Sequence, residues 1–320
     1  MRKLVSVALV LALLALVVFL LTPATLVNSA TIPELPDDID GYLADRERAA
    51  GVEFPLIRDT EKRIRWRIVG KKTDYAIVYL HGFSATRREI APTAELVANA
   101  LQANLFETRL RGHGRIQGAM VDVAAEDWLE DAAEALAIGA RIGDRVVVIG
   151  TSTGATLALA MTDHAAMQRV ETLVLMSPNF APADPASQWL TKPGGPLIAR
   201  LMIGETRSWQ PYNDQQARFW STRYPTHTLV EVMRLVDFTN AKLPLNLEQP
   251  VLILTSPNDT VISTVTMVNA LDRIKAPRRK ILEFEQVGDP SNHVLAGDIL
   301  SPDTTKEVAA AIVSFVRGDD

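Results

Sequence analysis

VVVIGTSTGATLALA, residues 146–160, decides how the rest of the chain is read. A run of Val and Ile ends in Gly-Thr-Ser-Thr-Gly, and a small-residue helical pattern starts at once. A continuous apolar run of this length suits a strand buried on both faces. Five small residues in the turn point to a tight space and a backbone path that bulk would not tolerate.

The surrounding segments repeat the same alternation. Strand patterns fall at Ile64–Val69, Ala76–Leu80, Asn104–Leu110, Arg145–Ile149, Thr172–Met176, Val251–Thr255 and Lys280–Phe284. Helical patterns lie between them, at about 88–102, at Glu126–Ile142, from the Gly-Thr-Ser-Thr-Gly turn to about Thr162, and at Thr304–Val316. Strands alternating with helices imply an α/β fold, with a mostly parallel central sheet and helices on both faces. Ligands in open sheets of this kind bind beyond the carboxyl ends of the strands. The turns at Gly82, Gly112, Ser152, Pro178, Asp259 and His293 all sit at such ends. From about 180 to 245 the pattern changes. Prolines and glycines punctuate it, Trp189, Trp209, Trp220, Tyr212 and Tyr224 fall within it, and no strand is evident. It reads as a helical cap insertion.

The amino terminus differs from the rest. After Arg2 and Lys3, Leu4–Leu21 carries no charge. As a helix it would be about 27 Å long, close to a bilayer's hydrocarbon thickness. The preceding positive charges would put the remainder on the non-cytoplasmic side. The expectation is a signal anchor, the run being longer than a usual signal-peptide core. Cleavage after Ala24 or Ser29 is the alternative, and the protein would then be secreted or periplasmic. Either way residues 1–30 are expected to stay outside the fold. Residues 31–63 read as a linker with one short helix, and residues 64–318 as the main domain.

Composition narrows the classes. The 320 residues carry 33 Lys and Arg against 38 Asp and Glu, a net charge of -5, so no basic footprint for nucleic acid is present. With no cysteine, disulfides and thiolate metal sites are excluded. No His-x-x-x-His pair appears, and GTSTGA lacks the Lys of a phosphate-binding P-loop. No metal or cofactor is expected.

A strand-turn-helix carrying Gly-x-Ser-x-Gly is the nucleophile elbow, in which a strained turn pushes the Ser152 hydroxyl out at the top of the sheet. A serine hydroxyl needs a base within hydrogen-bond reach. Of the five histidines, His81 and His113 lie in glycine turns where bracing loops is their expected part. His164 ends the helix after the elbow, and His227 lies in the insertion. His293 follows the last strand in GDPSNHVLAGD and is the candidate base. The base in turn needs a carboxylate to fix its tautomer. Asp259 stands just past a buried strand; Asp289 and Asp298 flank His293, and Asp214 and Asp237 belong to the insertion. The order Ser152, Asp259, His293 is the one expected for such a sheet. Two backbone donors must face the developing oxyanion. The Thr153 amide follows the nucleophile, and the Phe83 amide is offered by His81-Gly82-Phe83.

Together these residues resemble the α/β-hydrolase family over about 64–318. The likeness rests on His-Gly-Phe at 81–83, Arg-Gly-His-Gly at 111–114, Asp127-Trp128, Gly-Thr-Ser-Thr-Gly at 150–154, Asp259 and His293. The carboxylesterase and monoacylglycerol-lipase-like branch is the nearest in look, and it places a helical cap where residues 180–245 stand. There the Arg-Gly-His-Gly turn and the Asp-Trp pair shape the fold. Thr on both sides of the serine and the amino-terminal apolar run depart from that branch. The resemblance implies a serine hydrolase acting on small ester or lipid-like substrates. Thioester, amide or C–C hydrolysis and acyl transfer share the scaffold, as would a non-catalytic, membrane-anchored binding protein.

Overall fold

The computed structural model describes residues 22–319. Seven strands build one sheet in the order β1-β3-β2-β4-β5-β9-β11. They are β1 (Arg63–Arg65), β2 (Thr73–Leu80), β3 (Asn104–Glu107), β4 (Gly143–Thr151), β5 (Val170–Met176), β9 (Val251–Thr255) and β11 (Arg279–Glu283). Only β1 runs antiparallel to its neighbour. The continuous apolar runs are explained by the two faces of this sheet. Ala76, Val78 and Leu80 enter one core, while Ile77 and Tyr79 enter the other. Val146 and Val148 against Val147 and Ile149, and Val251 and Ile253 against Leu252 and Leu254, divide in the same way.

Helices cover both faces. On one, α2 (Thr93–Ala100) packs beside the final helix α9 (Thr305–Arg317), which buries Val308, Ala309, Ile312, Phe315 and Val316 at helical spacing. On the other lie α3 (Ala125–Ile142), α4 (Thr153–Ala160) and α7 (His227–Ala241). The helix α8 (Thr264–Leu271) and a short parallel pair, β8 (Leu245–Asn246) with β10 (Ile274–Lys275), complete the carboxyl-terminal half.

Four features depart from the sequence reading. The first strand stops at Arg65 and the third at Glu107, both shorter than expected. Helix α2 begins only at Thr93, because residues 86–92 form turns around a buried Glu89. The insertion contains α5 (Gly195–Ile203) and α6 (Asp214–Phe219), but also an antiparallel pair, β6 (Thr206–Ser208) with β7 (Arg223–Pro225). Three-residue strands are too short to show a period. The end of the expected cap, α7, belongs to the main body, since Val232, Met233, Leu235 and Val236 join the core against α4.

The fourth departure concerns the amino-terminal arm. The Leu4–Leu21 run lies outside the described residues. Among the described residues no helix is long and apolar enough to cross a membrane. Residues 22–30, expected to stand apart, instead lie on the domain. Leu26 is buried in the main core, Arg234 Nε donates to the Ala24 carbonyl at 2.8 Å, and His164 Nε2 donates to the Ala30 carbonyl at 2.9 Å. The following helix, α1 (Ile39–Glu53), starts at an Asp38 cap and is locked by buried charge. Arg109 grips Glu47 with two bonds of 2.7 and 2.8 Å, and Tyr42 donates to Glu134 at 2.7 Å. Such forked pairs add geometric specificity.

Candidate active site

The elbow forms because β4 must turn into α4 without a gap. Ser152 occupies φ 53°, ψ −116°, a strained backbone conformation of the kind that concentrates at functional sites. Its own N–H donates to the Met176 carbonyl at 2.8 Å, which ties the turn to the end of β5. The flanking glycines are steric necessities. A Cβ on Gly150 would stand 2.6 Å from the Gly154 carbonyl oxygen, and one on Gly154 would overlap the Leu80 carbonyl. The small residues of 150–155 therefore let helix, turn and β2 approach each other.

Asp259 and His293 come together from the ends of β9 and β11. His293 Nδ1 lies 2.7 Å from Asp259 Oδ2. The other carboxylate oxygen accepts the Val261 and Ile262 N–H groups at 2.8 and 3.1 Å, so the Asp259 side chain cannot swing away. Ser152 and His293 are each only 7% exposed. Burial works against a charged His293 ring. The Asp259 charge and hydrogen bond, with Glu89 and Asp289 further off, outweigh it and raise the ring's pKa above its ordinary value.

The loop carrying His293 is organised by Asp289, which sequence reading placed only as a flanking acid. Its carboxylate accepts from the backbone N–H groups of Ser291, His293 and Val294 and from the Ser291 hydroxyl. The Ser177 hydroxyl also donates to the His293 carbonyl at 2.7 Å. Asp298, by contrast, lies at the surface near Arg88.

The two glycine-turn histidines brace loops. His81 Nε2 accepts the Leu110 N–H at 3.0 Å, and His113 Nε2 accepts the Ser84 N–H at 3.1 Å. Burial holds both neutral, with His113 pushed down to about 4. Trp128 Nε1 donates to the Arg111 carbonyl at 3.1 Å, so the Asp-Trp pair and the Arg-Gly-His-Gly turn are one unit. His164 caps the short 3₁₀ helix Ala165–Arg169, and His227 opens α7.

Thr153 is the first residue of α4, where intrahelical acceptors for N–H groups are absent. Among the described residues, no protein acceptor takes the Phe83 N–H. Its ring packs edge-on against Tyr224, His113 and Trp128. Cap residues close over both loops. Phe219 and Trp220 share a cluster with Ala85 of the loop after β2 and with Val294 beside His293. The Ser221 N–H donates to the Ser84 carbonyl at 2.7 Å. A cleft of about 450 Å³ opens beside this contact, between the β6–β7 pair and residues 115–121.

The profile of the "Alpha/beta hydrolase family" matches residues 77–311, from β2 through most of α9. The chain belongs to the α/β-hydrolase family. Among curated proteins, the hydrolase is 28% identical over 187 residues to a thermostable monoacylglycerol lipase of Bacillus sp. (strain H-257), covering 58% of this chain and 71% of that protein. Among solved structures, it is similar to one from a study of two metagenome-derived lipolytic enzymes, LipS and LipT. The TM-score is 0.67 at 17% identity, over 82% of this chain and 99% of the other. The Paleococcus ferrophilus monoacylglycerol lipase gives 0.59 at 15% identity, over 81% and 98%. At such identities the structural likeness speaks for the fold.

Two residues of this site escaped sequence reading. Asp289 was visible only as a flanking acid, and Glu89 sat unnoticed in a segment patterned as a helix. An acid followed directly by Ile90-Ala91-Pro92, in a stretch that the proline keeps from being regular helix, was the available signal.

Proposed function

We propose that this α/β hydrolase cleaves carboxylic esters through Ser152, His293 and Asp259. The observation that carries the reading is the Asp259–His293 hydrogen bond, found in the same chain as a serine held on a strained elbow. The Ser152 Oγ–acyl carbon bond forms as the carbonyl π pair moves to oxygen, and the hydroxyl proton passes to His293 Nε2. The Phe83 and Thr153 N–H groups receive the oxyanion. The pair then returns, the C–O bond to the alcohol breaks, and His293 gives its proton to the leaving oxygen. Water repeats the sequence and releases the acid. Asp259 keeps Nδ1 protonated and steadies the imidazolium.

An acyl chain of lipid type suits the apolar cap, and the monoacylglycerol-lipase relative supports a monoacylglycerol; a lysophospholipid would suit a membrane tether. The charge-free Leu4–Leu21 run supports a tether that holds the domain at the non-cytoplasmic face of a membrane.

The test is hydrolysis of p-nitrophenyl esters from acetyl to palmitoyl, with Ser152→Ala alongside. Activity in the parent and its loss in the variant is the expected result, and the chain-length optimum sizes the acyl site. A folded parent inert on every ester, yet active on thioesters or amides or in transfer to an added alcohol, would replace the ester reading.

A further inference from the structure

Behind the oxyanion-side loop lies a carboxylate that the triad does not use. Glu89 is 2% exposed. Its Oε2 accepts the Gly82 N–H at 2.8 Å and the Tyr79 hydroxyl at 2.7 Å. Its Oε1 lies against Gly82 on the side facing the nucleophile. A Cβ placed on Gly82 would stand 2.7 Å from that oxygen and 3.3 Å from Ser152 Cβ. The Glu89 backbone touches the other half of the site, since a Cβ on Gly297 would meet the Glu89 carbonyl at 2.5 Å. Beside that contact, Asp298 N–H donates to the Ala91 carbonyl at 2.8 Å. One residue thus spans from the loop before the nucleophile to the loop of the base.

A buried acid costs stability unless it is hydrogen-bonded or paired. Structural anchoring of Gly82 alone could be met by a neutral acceptor. The charge itself has a task here, because its field favours the protonated His293 ring.

We propose that Glu89 is a positioning residue of the catalytic centre. It fixes the Gly82 amide and hence the path into Phe83, and as a second acid it helps His293 to hold the proton taken from Ser152. This rests on the serine-hydrolase reading above. The groups facing Glu89 are Tyr79 from β2 and Asp289 and His293 from the loop after β11; those facing His293 are Asp259, Asp289 and Glu89. Burial raises the Glu89 pKa to about 7, against the Gly82 and Tyr79 bonds that lower it. Its charge therefore changes within the range in which the enzyme would work.

The experiment reads the nucleophile directly. The second-order rate of Ser152 phosphonylation by a p-nitrophenyl alkylphosphonate is measured from pH 5 to 9 for the parent, Glu89→Gln and Tyr79→Phe. The probe needs no knowledge of the natural substrate. Glutamine keeps an acceptor for Gly82 but removes the charge. Its acid limb is expected to move to lower pH by about half a unit or more, with a several-fold lower plateau. Tyr79→Phe removes one donor to Glu89, favours its neutral form, and is expected to shift the limb the same way by less. A purely structural role would change the plateau without moving the limb.

A Glu89→Gln profile with the parent's limb overturns the proposal. If that variant does not fold, an unmoved limb in Tyr79→Phe overturns it instead. A parent that is not labelled at Ser152 overturns the hydrolase reading, and this proposal with it; a labelled parent with unmoved variants overturns this proposal alone.

Discussion

Asp259 holds His293 with one oxygen and its own loop with the other: Oδ2 lies 2.7 Å from Nδ1, while Oδ1 accepts the Val261 and Ile262 N–H groups. The two tasks cannot both survive a change to asparagine. If the amide oxygen serves the two N–H groups, the amide nitrogen faces Nδ1 and demands an acceptor there. The ring is then driven into the wrong tautomer.

Asp259→Asn is therefore expected to fold normally and to lose about 10⁴-fold in kcat, as triad aspartates do elsewhere. Steady-state kinetics with a Tm measured beside them checks this. Near-parent turnover would mean that another carboxylate orients the base.

The pH profile follows from the same contact. On the proposed mechanism His293 must be neutral to take the serine proton, and its pKa lies above the ordinary value. The acid limb of kcat/KM should have its midpoint above about 6.5, the unperturbed value for histidine. A midpoint at or below that value would contradict the environment described for the ring. The sign for stability is the opposite. A raised His293 stabilises the fold below its unfolded pKa, and that contribution is lost as the pH rises through the folded one.

Glu89 adds a second pH dependence, this one read in stability as well as in the rate. Its pKa is raised from 4.5 to about 7 on folding, so between those values the folded protein binds more protons than the unfolded chain. Stability then falls as the pH rises through this window, by up to about 3 kcal/mol when complete. Glu89→Gln removes the dependence. In urea titrations the variant should gain on the parent between pH 5 and pH 8, and parallel curves would contradict it.

Gly154→Ala tests the elbow's packing. The added methyl would overlap the Leu80 carbonyl, which is backbone and cannot yield. A loss of about 3 kcal/mol or more is expected, with activity falling alongside. Gly194→Ala is a useful contrast. Nothing lies within 4 Å of its Cβ position, so its cost comes from φ of 77° alone and should be about 1 kcal/mol.

The sheet and the candidate triad were legible because its central strands are apolar runs and each chemical residue stands in the segment after a strand. Val146–Ile149 before Ser152, Val251–Thr255 before Asp259 and Lys280–Phe284 before His293 need no long-range knowledge. Glu89 was not legible because its partners are a backbone amide and a phenol from a different strand. No spacing rule connects residues 79, 82 and 89. The cap strands β6 and β7 are three residues each, too short for an alternation to stand out. The arm at 22–30 was unreadable for another reason: it is held mainly by its own carbonyls, which every residue has, by one leucine and by Asn28 donating to the Met161 sulfur.

That arm changes how the domain would be carried. Had residues 22–35 been a free leash, the active site could sweep through any orientation relative to what lies upstream. Leu26 in the core, with Arg234 and His164 clasping the arm's carbonyls, seats it on the domain instead. The described arm runs along the α4–α7 side of the sheet. An upstream attachment would then set the direction in which the mouth of the site points, as a bracket sets the aim of a lamp. Cutting after Ser29 would remove Leu26 from the core, whereas cutting after Ala24 would leave it in place.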